Sequence, residues 1–305
     1  MRDGQFLFQT NKIKEYLCSG KKTEKNKMAY NRILTIQDIS CVGQCSLTVA
    51  LPILSASGNE TCILPSAVLS THTGGFKNWH FRDLTDDFMR IEEHWLSENI
   101  DFDAIYTGYL GSVKQVDMVI NIINSNLKKT DALIVVDPAM GDYGKLYSGF
   151  NDEFVHAMKN LVSKADIIIP NITEACMLTG KEFKEIYSPE YVSQIAKELI
   201  LQGCKAVVIT GVSYKKNELG VFVYDGKNEF YYPHEELDRK CSGTGDIFAS
   251  AFVGAMMRGI DIIKSATIAE NFTFESIKLT LEHPAHWYGV KFEPLLGNYI
   301  KQLNE

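Results

Sequence analysis

Short apolar runs alternate with helix-like segments along most of this chain. Six runs have the length of buried strands, at positions 33–36, 61–64, 104–107, 132–136, 166–169 and 206–209. Between them, apolar residues recur every three or four positions, which is the spacing of one helix face. This alternation predicts an α/β fold in which a central, mostly parallel sheet carries helices on both faces.

Polar residues stand where these runs end or in the loops that follow. The carboxyl ends of parallel strands share one edge of a sheet, and ligands bind along that edge. We therefore expect six residues to gather there: Asp38, Thr73, Tyr109, Asp137, Asn171 and Thr210.

A glycine turn precedes a helix that the apolar pattern predicts to be buried. Residues 241–246 read Cys-Ser-Gly-Thr-Gly-Asp, and the helix follows at 247–258. A helix N-terminus carries unpaired N–H groups and partial positive charge, and Gly243 and Gly245 would let an anion approach them. Asp246 would then stand beside the anion as a general base. The alternative is that Asp246 is the helix N-cap, although a cap needs no glycine pair.

Three carboxylates are predicted to lie near this turn. Asp137 ends a strand, Asp142 follows it, and Glu174 stands three residues after Asn171 at a helix start. Beside an anion site they suit Mg²⁺, which prefers oxygen ligands and bridges phosphates. Taken singly, Asp137 is explained as a strand end and Glu174 as a partner of the helix dipole.

Two further polar residues leave alternatives open. His72 could act as a base, but a histidine in such a loop more often makes hydrogen bonds within it. Tyr109 could stack on an aromatic ring or pack at its strand end. The chain has no Walker A run and no Gly-x-Gly-x-x-Gly after its first predicted strand, which argues against P-loop and dinucleotide sites.

The C-terminal half predicts a β-hairpin and two helices. The hairpin joins 220–224 to 229–232 across a tight turn at Asp225-Gly226, and the second helix covers 262–281. Earlier in the chain, the spacing predicts a helix at 83–96.

Composition excludes some partners. The net charge of −7 disfavours nucleic acid, which calls for a basic face, and no apolar run could span a membrane. Seven cysteines without a pairing pattern indicate a reducing, cytoplasmic setting. Residues 1–30 are polar and aperiodic, which predicts an N-terminal tail, disordered or preceding a start at Met28. Residues 31–305 are predicted to form one domain.

The motifs resemble those of the ribokinase-like kinases and, within them, the pyridoxal/pyridoxamine kinases. The matching stretches run in family order over roughly residues 32–281, at 36–37, 71–74, 108–112, 137–142, 170–174, 208–210 and 243–246. Gly-Thr-Gly-Asp at 243–246 marks the superfamily. Thr-Gly-Tyr-Leu-Gly-Ser at 107–112 with Asp-Pro-Ala-Met-Gly-Asp at 137–142 is similar to the vitamin B6 kinases in particular.

The resemblance implies ATP-dependent phosphorylation of the 5′-hydroxymethyl group of a vitamin B6 vitamer by a homodimer with a three-layer α/β/α fold. Asp246 would be the general base, and the N–H groups of Gly243, Thr244 and Gly245 would hold the phosphoryl charge. The resemblance further implies that Asn171 and Glu174 contact Mg²⁺–ATP through water and that Asp137 and Asp142 lie near the cation. Thr210 and Thr244 would contact the nucleotide. Thr73 and Tyr109 would face the pyridine ring. Residues 142–151 would be a mobile flap over ATP.

Two positions depart from the family pattern. Asp38 stands where the family commonly has a serine that touches the pyridine ring, and a carboxylate could favour a cationic amine or ring N–H⁺, hence pyridoxamine. Ile169 stands where a threonine often binds a monovalent cation such as K⁺.

Three rival functions remain at this stage. The nearest is a kinase of the same fold acting on hydroxymethylpyrimidine in thiamin synthesis. A different class is a non-catalytic sensor or carrier of a vitamer or nucleotide, although a sensor would not need Asp246. A sugar kinase is disfavoured because the first strand region lacks that branch's glycine-rich pattern.

Overall fold

The computed structural model describes residues 30–238 and 241–305, so the predicted tail and the start at Met28 lie outside the described residues except for Tyr30. The strands are β1 (Arg32–Ser40), β2 (Glu60–Leu69), β3 (Phe81–Asp83), β4 (Phe102–Thr107), β5 (Lys128–Val136), β6 (Gly141–Asp142), β7 (Lys145–Leu146), β8 (Ile167–Ile168), β9 (Ala206–Val212), β10 (Glu218–Tyr224) and β11 (Glu229–Glu235).

The helices include every one that the sequence predicted in these ranges. They are α1 (Leu47–Ala56), α2 (Thr85–Ser97), α3 (Val113–Asn124), α4 (Asp152–Val162), α5 (Ile172–Thr179), α6 (Pro189–Leu201), α7 (Thr244–Met257), α8 (Ile262–Leu281) and α9 (Leu296–Gln302). Across residues 30–238 and 241–305, none of them is long and apolar enough to cross a membrane.

One large sheet forms the centre, in the order β11-β10-β9-β8-β5-β4-β1-β2-β3. The six strands from β9 to β2 in that order pair in parallel. Antiparallel strands flank them, β10 and β11 at one edge and β3 at the other. The predicted mostly parallel α/β sheet is therefore confirmed.

Two separate hydrophobic cores cover the two faces of this sheet. One lies under α2 to α6, and the other lies under α1, α7, α8 and α9. The adjacent residues Val135 and Val136 of β5 enter opposite cores, as the continuous apolar run predicted. All residues of α7 from Ile247 to Met257 are buried, so this helix is the inner element of its layer.

The predicted hairpin is confirmed, and one helix start differs from its prediction. Tyr224 pairs with Glu229 across the loop 225–228, where the Asp225 carboxylate accepts the N–H groups of Lys227 and Asn228. The helix predicted from 83 begins at Thr85, since Asp83 ends β3 and its carboxylate accepts the N–H of Thr85. Strands β3, β6 and β7 and helix α9 were not predicted.

Candidate active site

The strand ends lie together at the carboxyl edge of the sheet. Asp38 lies near the end of β1, at an irregularity where residues 66 and 67 of β2 stand opposite it. Tyr109 follows β4 and Asp137 follows β5, while Asn171 follows β8 and pairs with Thr210 of β9. Thr73 lies in the loop after β2 with an exposed side chain. These polar residues therefore lie along the carboxyl edge of the parallel strands, as the sequence predicted.

The first turn of α7 leaves space at the helix N-terminus. Gly243 is its N-cap and has φ 84°, the left-handed conformation that favours glycine. A Cβ at this position would lie 2.0 Å from the carbonyl oxygen of Gln44, so packing also demands glycine. A Cβ at Gly245 would meet no atom within 4 Å, which leaves space in front of the helix. No side chain caps α7, so its first N–H groups are available to an anion.

Asp246 is the third residue of α7, and the reading of Asp246 as N-cap is wrong because Gly243 holds that position. Its Oδ2 accepts the backbone N–H of Ser46 at 2.9 Å. Burial raises the pKa of Asp246 to about 7, with a smaller contribution from the negative charge of Asp38, while the Ser46 hydrogen bond opposes the rise. A carboxylate with this pKa is a stronger base than an ordinary aspartate.

Glu174 joins α5 to the loop after β5. Its Oε1 accepts the N–H of Met140 at 3.0 Å, and its Oε2 accepts the N–H of Asn171 at 2.9 Å. The Asn171 side chain completes a capping box by accepting the N–H of Glu174, and it donates to the carbonyl of Gly141. Burial still raises the pKa of Glu174 to about 8. This carboxylate is therefore already held by backbone donors.

Asp137 is the carboxylate most available to a cation. It is buried, and none of the residues in 30–238 and 241–305 donates a hydrogen bond to its carboxylate. Burial and the charges of Glu174 and Asp246 hold its pKa well above the usual range. Asp142 is exposed, and its Oδ1 accepts the N–H of Tyr143.

The described residues contain no group of three His, Cys, Asp or Glu side chains that could hold a metal ion alone. A concentration of buried negative charge without such a cage fits Mg²⁺ that keeps waters and arrives with phosphate oxygens. The predicted metal residues therefore suit a cation that arrives with a nucleotide. Asp137 is the residue among them best suited to coordinate that cation directly.

A short hairpin lies against the start of α5. Strands β6 and β7 join through Tyr143 and Gly144, both with positive φ, as in a type I′ turn. The N–H of Gly144 donates to Thr173 Oγ1 at 3.0 Å. Burial and the charges of Glu174 and Asp142 raise the pKa of Tyr147. The sequence had indicated Tyr147 only as one residue of the flap at 142–151.

Tyr109 packs on an aromatic residue of the predicted flap. Its ring stacks on Phe150 at 5.6 Å. Burial raises the pKa of Tyr109, and the charge of Asp38 adds to the rise. Packing near its strand end is therefore observed, and stacking on the ring of a bound ligand stays a prediction.

His72 is a loop histidine rather than a base. Its Nδ1 accepts the N–H of Gly74 at 2.9 Å, and its Nε2 lies 3.0 Å from the carbonyl of Tyr288. A carbonyl can only accept, so Nε2 carries the proton and the ring is neutral with both nitrogens engaged. His72 thereby ties its loop to the C-terminal segment.

We predict that Asp137→Asn stabilises the ligand-free protein at alkaline pH. Since the folded-state pKa of Asp137 is raised, its contribution to stability is full below about pH 4 and is lost as pH rises through the folded pKa. Asparagine avoids this loss, so the melting temperature should rise by about 2 °C or more at pH 8. The same variant should gain little near pH 4.

Thermal unfolding of Asp137→Asn, followed by circular dichroism at both pH values, measures this. Asp117→Asn, an exposed change in α3, is the matched control and should show no such pH dependence. Equal behaviour of the two variants would contradict the charge crowding at Asp137.

Comparisons with known proteins identify the family of this chain. The family model described as phosphomethylpyrimidine kinase matches residues 53–290. The hydroxymethylpyrimidine/phosphomethylpyrimidine kinase of Aquifex aeolicus is 29% identical over 197 residues, which are 63% of this chain and 73% of that protein.

Solved structures show the same architecture. The pyridoxal kinase from Lactobacillus plantarum has 31% identity and a TM-score of 0.83, covering 90% of this chain and 98% of that chain. A candidate phosphomethylpyrimidine kinase from Bacteroides thetaiotaomicron, crystallised with pyridoxal, has 35% identity and a TM-score of 0.84, covering 88% of this chain and 96% of that chain. The ribokinase-like fold that the resemblance implied is thus confirmed. The chain belongs to the phosphomethylpyrimidine kinase family and is a kinase of the pyridoxal kinase group within the ribokinase-like superfamily.

Proposed function

We propose that this chain transfers the γ-phosphoryl group of ATP to the 5′-hydroxymethyl group of a vitamin B6 vitamer. The observation that carries the proposal is the placement of Asp246, which the N–H of Ser46 holds beside the open N-terminus of α7. A base next to an anion site is the arrangement that phosphoryl transfer to an alcohol requires.

The chemistry follows from these two features. Asp246 takes the proton of the hydroxymethyl group. The hydroxymethyl oxygen bonds to the γ-phosphorus, and the bond between that phosphorus and the leaving ADP oxygen breaks. The N–H groups of Gly243, Thr244 and Gly245 hold the charge on the transferring phosphoryl group. The released proton then resides on Asp246, whose pKa of about 7 suits both accepting and returning it.

The nucleotide side is assigned to the opposite strand ends. Asp137 would hold Mg²⁺, with Asn171 and Glu174 acting through water and Asp142 close to the cation. When bound, this ion neutralises charge on the ATP phosphates. Thr210 and Thr244 would contact the nucleotide, and the flap at 142–151 would cover it and exclude water. A K⁺ site and a homodimer stay predictions of the resemblance.

The acceptor side favours a flat ring that carries a cation. Tyr109 offers an aromatic ring. Asp38 is a buried carboxylate close enough for its charge to affect the Tyr109 hydroxyl. A pyridinium N–H⁺ or the amine of pyridoxamine would pair with Asp38. Thr73, exposed at the loop after β2, would contact the ring. The Bacteroides thetaiotaomicron relative crystallised with pyridoxal supports a B6 vitamer as the acceptor.

Hydroxymethylpyrimidine is the second candidate acceptor. The name of the Aquifex aeolicus relative includes that substrate, and the matching family model is described as phosphomethylpyrimidine kinase. Both acceptors present a hydroxymethyl group on a flat nitrogen ring, so the catalytic features serve either one. A non-catalytic sensor is disfavoured because such a protein would need neither the base nor the open helix end.

Asp246→Asn should abolish most of the transfer while leaving nucleotide binding intact. Asparagine keeps the shape and an oxygen that can accept the Ser46 N–H, but it cannot take the proton. We expect kcat with pyridoxamine, ATP and Mg²⁺ to fall about a hundredfold or more. The measurement is coupled ADP release, with ADP affinity by calorimetry as the control.

An Asp246→Asn variant that retained wild-type kcat would exclude Asp246 as the base. A wild type that bound vitamers but turned none over would favour the sensor function.

Asp38→Ser should reduce the preference for pyridoxamine over pyridoxal. Serine restores the residue common in the family and removes the charge that would pair with the amine. The ratio of kcat/KM for the two vitamers should fall about tenfold, since a hydrogen bond to a charged group has roughly that effect. An unchanged ratio in steady-state assays of both vitamers would show that Asp38 does not read the amine.

A further inference from the structure

Ser46 does not perform the role that its position predicts. It is the N-cap of α1, where a serine side chain normally accepts an N–H from the first turn, yet its side chain makes no such bond. Instead, its Oγ donates to Asp38 Oδ1 at 2.5 Å, and its N–H donates to Asp246 Oδ2 at 2.9 Å. One residue therefore links two carboxylates of the site.

The backbone of Ser46 is strained in this position. Its φ of 53° and ψ of −126° are unusual for any residue other than glycine. The preceding turn is closed by Thr48, whose hydroxyl donates to the carbonyl of Cys45 at 2.7 Å. The turn also lies against α7, where the carbonyl of Gln44 occupies the space that a Cβ of Gly243 would need. Strain of this kind persists where surrounding contacts hold it, and it concentrates at functional sites.

We propose that Ser46 is a positioning residue that fixes the base Asp246 relative to the acceptor-binding Asp38. The proposal rests on the proposed function and adds a residue to it. The hydroxyl bond to Asp38 keeps Ser46 at positive φ, and that conformation directs its N–H at Asp246. A vitamer held by Asp38 would then present its hydroxymethyl group to a base at a set distance.

Ser40 provides an internal comparison. Its Oγ donates to the other oxygen of Asp38, at 3.3 Å, and it makes no hydrogen bond to Asp246. Ser40→Ala therefore removes one hydrogen bond to Asp38 and leaves the hydrogen bond between Ser46 and Asp246 in place. The other titratable groups that face this pair are His72, Cys45 and Tyr109 around Asp38, and Asp137, Cys45, Tyr106 and Tyr147 around Asp246.

Ser46→Ala and Ser46→Gly separate the two bonds of Ser46. Both variants lose the hydroxyl, so the KM for pyridoxamine should rise about tenfold in each. Glycine adopts the φ and ψ of this position without the strain that a Cβ brings, so Ser46→Gly should keep kcat within about threefold of wild type. Ser46→Ala should relax, withdraw its N–H from Asp246 and lose kcat by about a hundredfold, the cost of misplacing a reacting group.

The pH dependence of kcat/KM gives a readout that a loss of stability would not move. Ionised Asp246 loses its donor only in Ser46→Ala, so the acid limb of the profile should shift to higher pH in that variant alone. Ser40→Ala should change the KM for pyridoxamine and leave kcat and the acid limb as in wild type. The KM for ATP should remain unchanged in all three variants.

Equal kcat in Ser46→Ala and Ser46→Gly would overturn the role of Ser46 in an active enzyme. This includes the case in which both variants keep the wild-type kcat, as Ser40→Ala does. If Ser46→Ala fails to fold, the kcat of Ser46→Gly is compared with that of Ser40→Ala. A lower kcat in Ser46→Gly contradicts the proposal. A wild type without turnover of any vitamer contradicts the proposed function itself, and the role of Ser46 falls with it.

Discussion

The contact between the turn at residues 43–46 and the first turn of α7 is the one on which this site depends. It places the carbonyl of Gln44 over Gly243, which fixes a glycine at the N-cap and leaves the helix end without a side-chain cap. The same turn delivers the N–H of Ser46 to Asp246. The proposed anion site and the proposed base thus depend on one contact between two backbone segments, because a glycine N-cap has no side chain to cover the first N–H groups of the helix.

Crowded carboxylates are the second constraint on the molecule. Burial raises the pKa values of Asp137, Glu174 and Asp246, and Asp137 also feels the charges of the other two. A fold optimised for stability alone would not bury three acids at one sheet edge. The arrangement is reasonable for a site that receives Mg²⁺ and phosphates, since the cation relieves the repulsion that the free protein tolerates.

The sequence predicted the fold well because its signals are local and repeated. Helix α8 was placed at its observed bounds, and the parallel sheet followed from the alternation of strands and helices. Strand ends implied a shared edge, which brought Asp38, Tyr109 and Asp137 together. A motif indicated Asp246 as a candidate base. The positive φ of Ser46 and its hydrogen bonds to Asp38 and Asp246 were not predicted, because these partners lie 8 and 200 positions away in the sequence. Periodicity in the sequence does not reveal such contacts, and the same holds for the hydrogen bond between His72 and Tyr288.

The most direct measurement is a competition in one vessel. Pyridoxamine, pyridoxal, pyridoxine and hydroxymethylpyrimidine would be supplied in equal amounts with limiting ATP and Mg²⁺, and the phosphorylated products would be counted by mass spectrometry. Phosphorylated B6 vitamers, with pyridoxamine 5′-phosphate most abundant, are the predicted result. Phosphorylated pyrimidine as the only product would contradict a B6 kinase and assign this site to the second candidate acceptor.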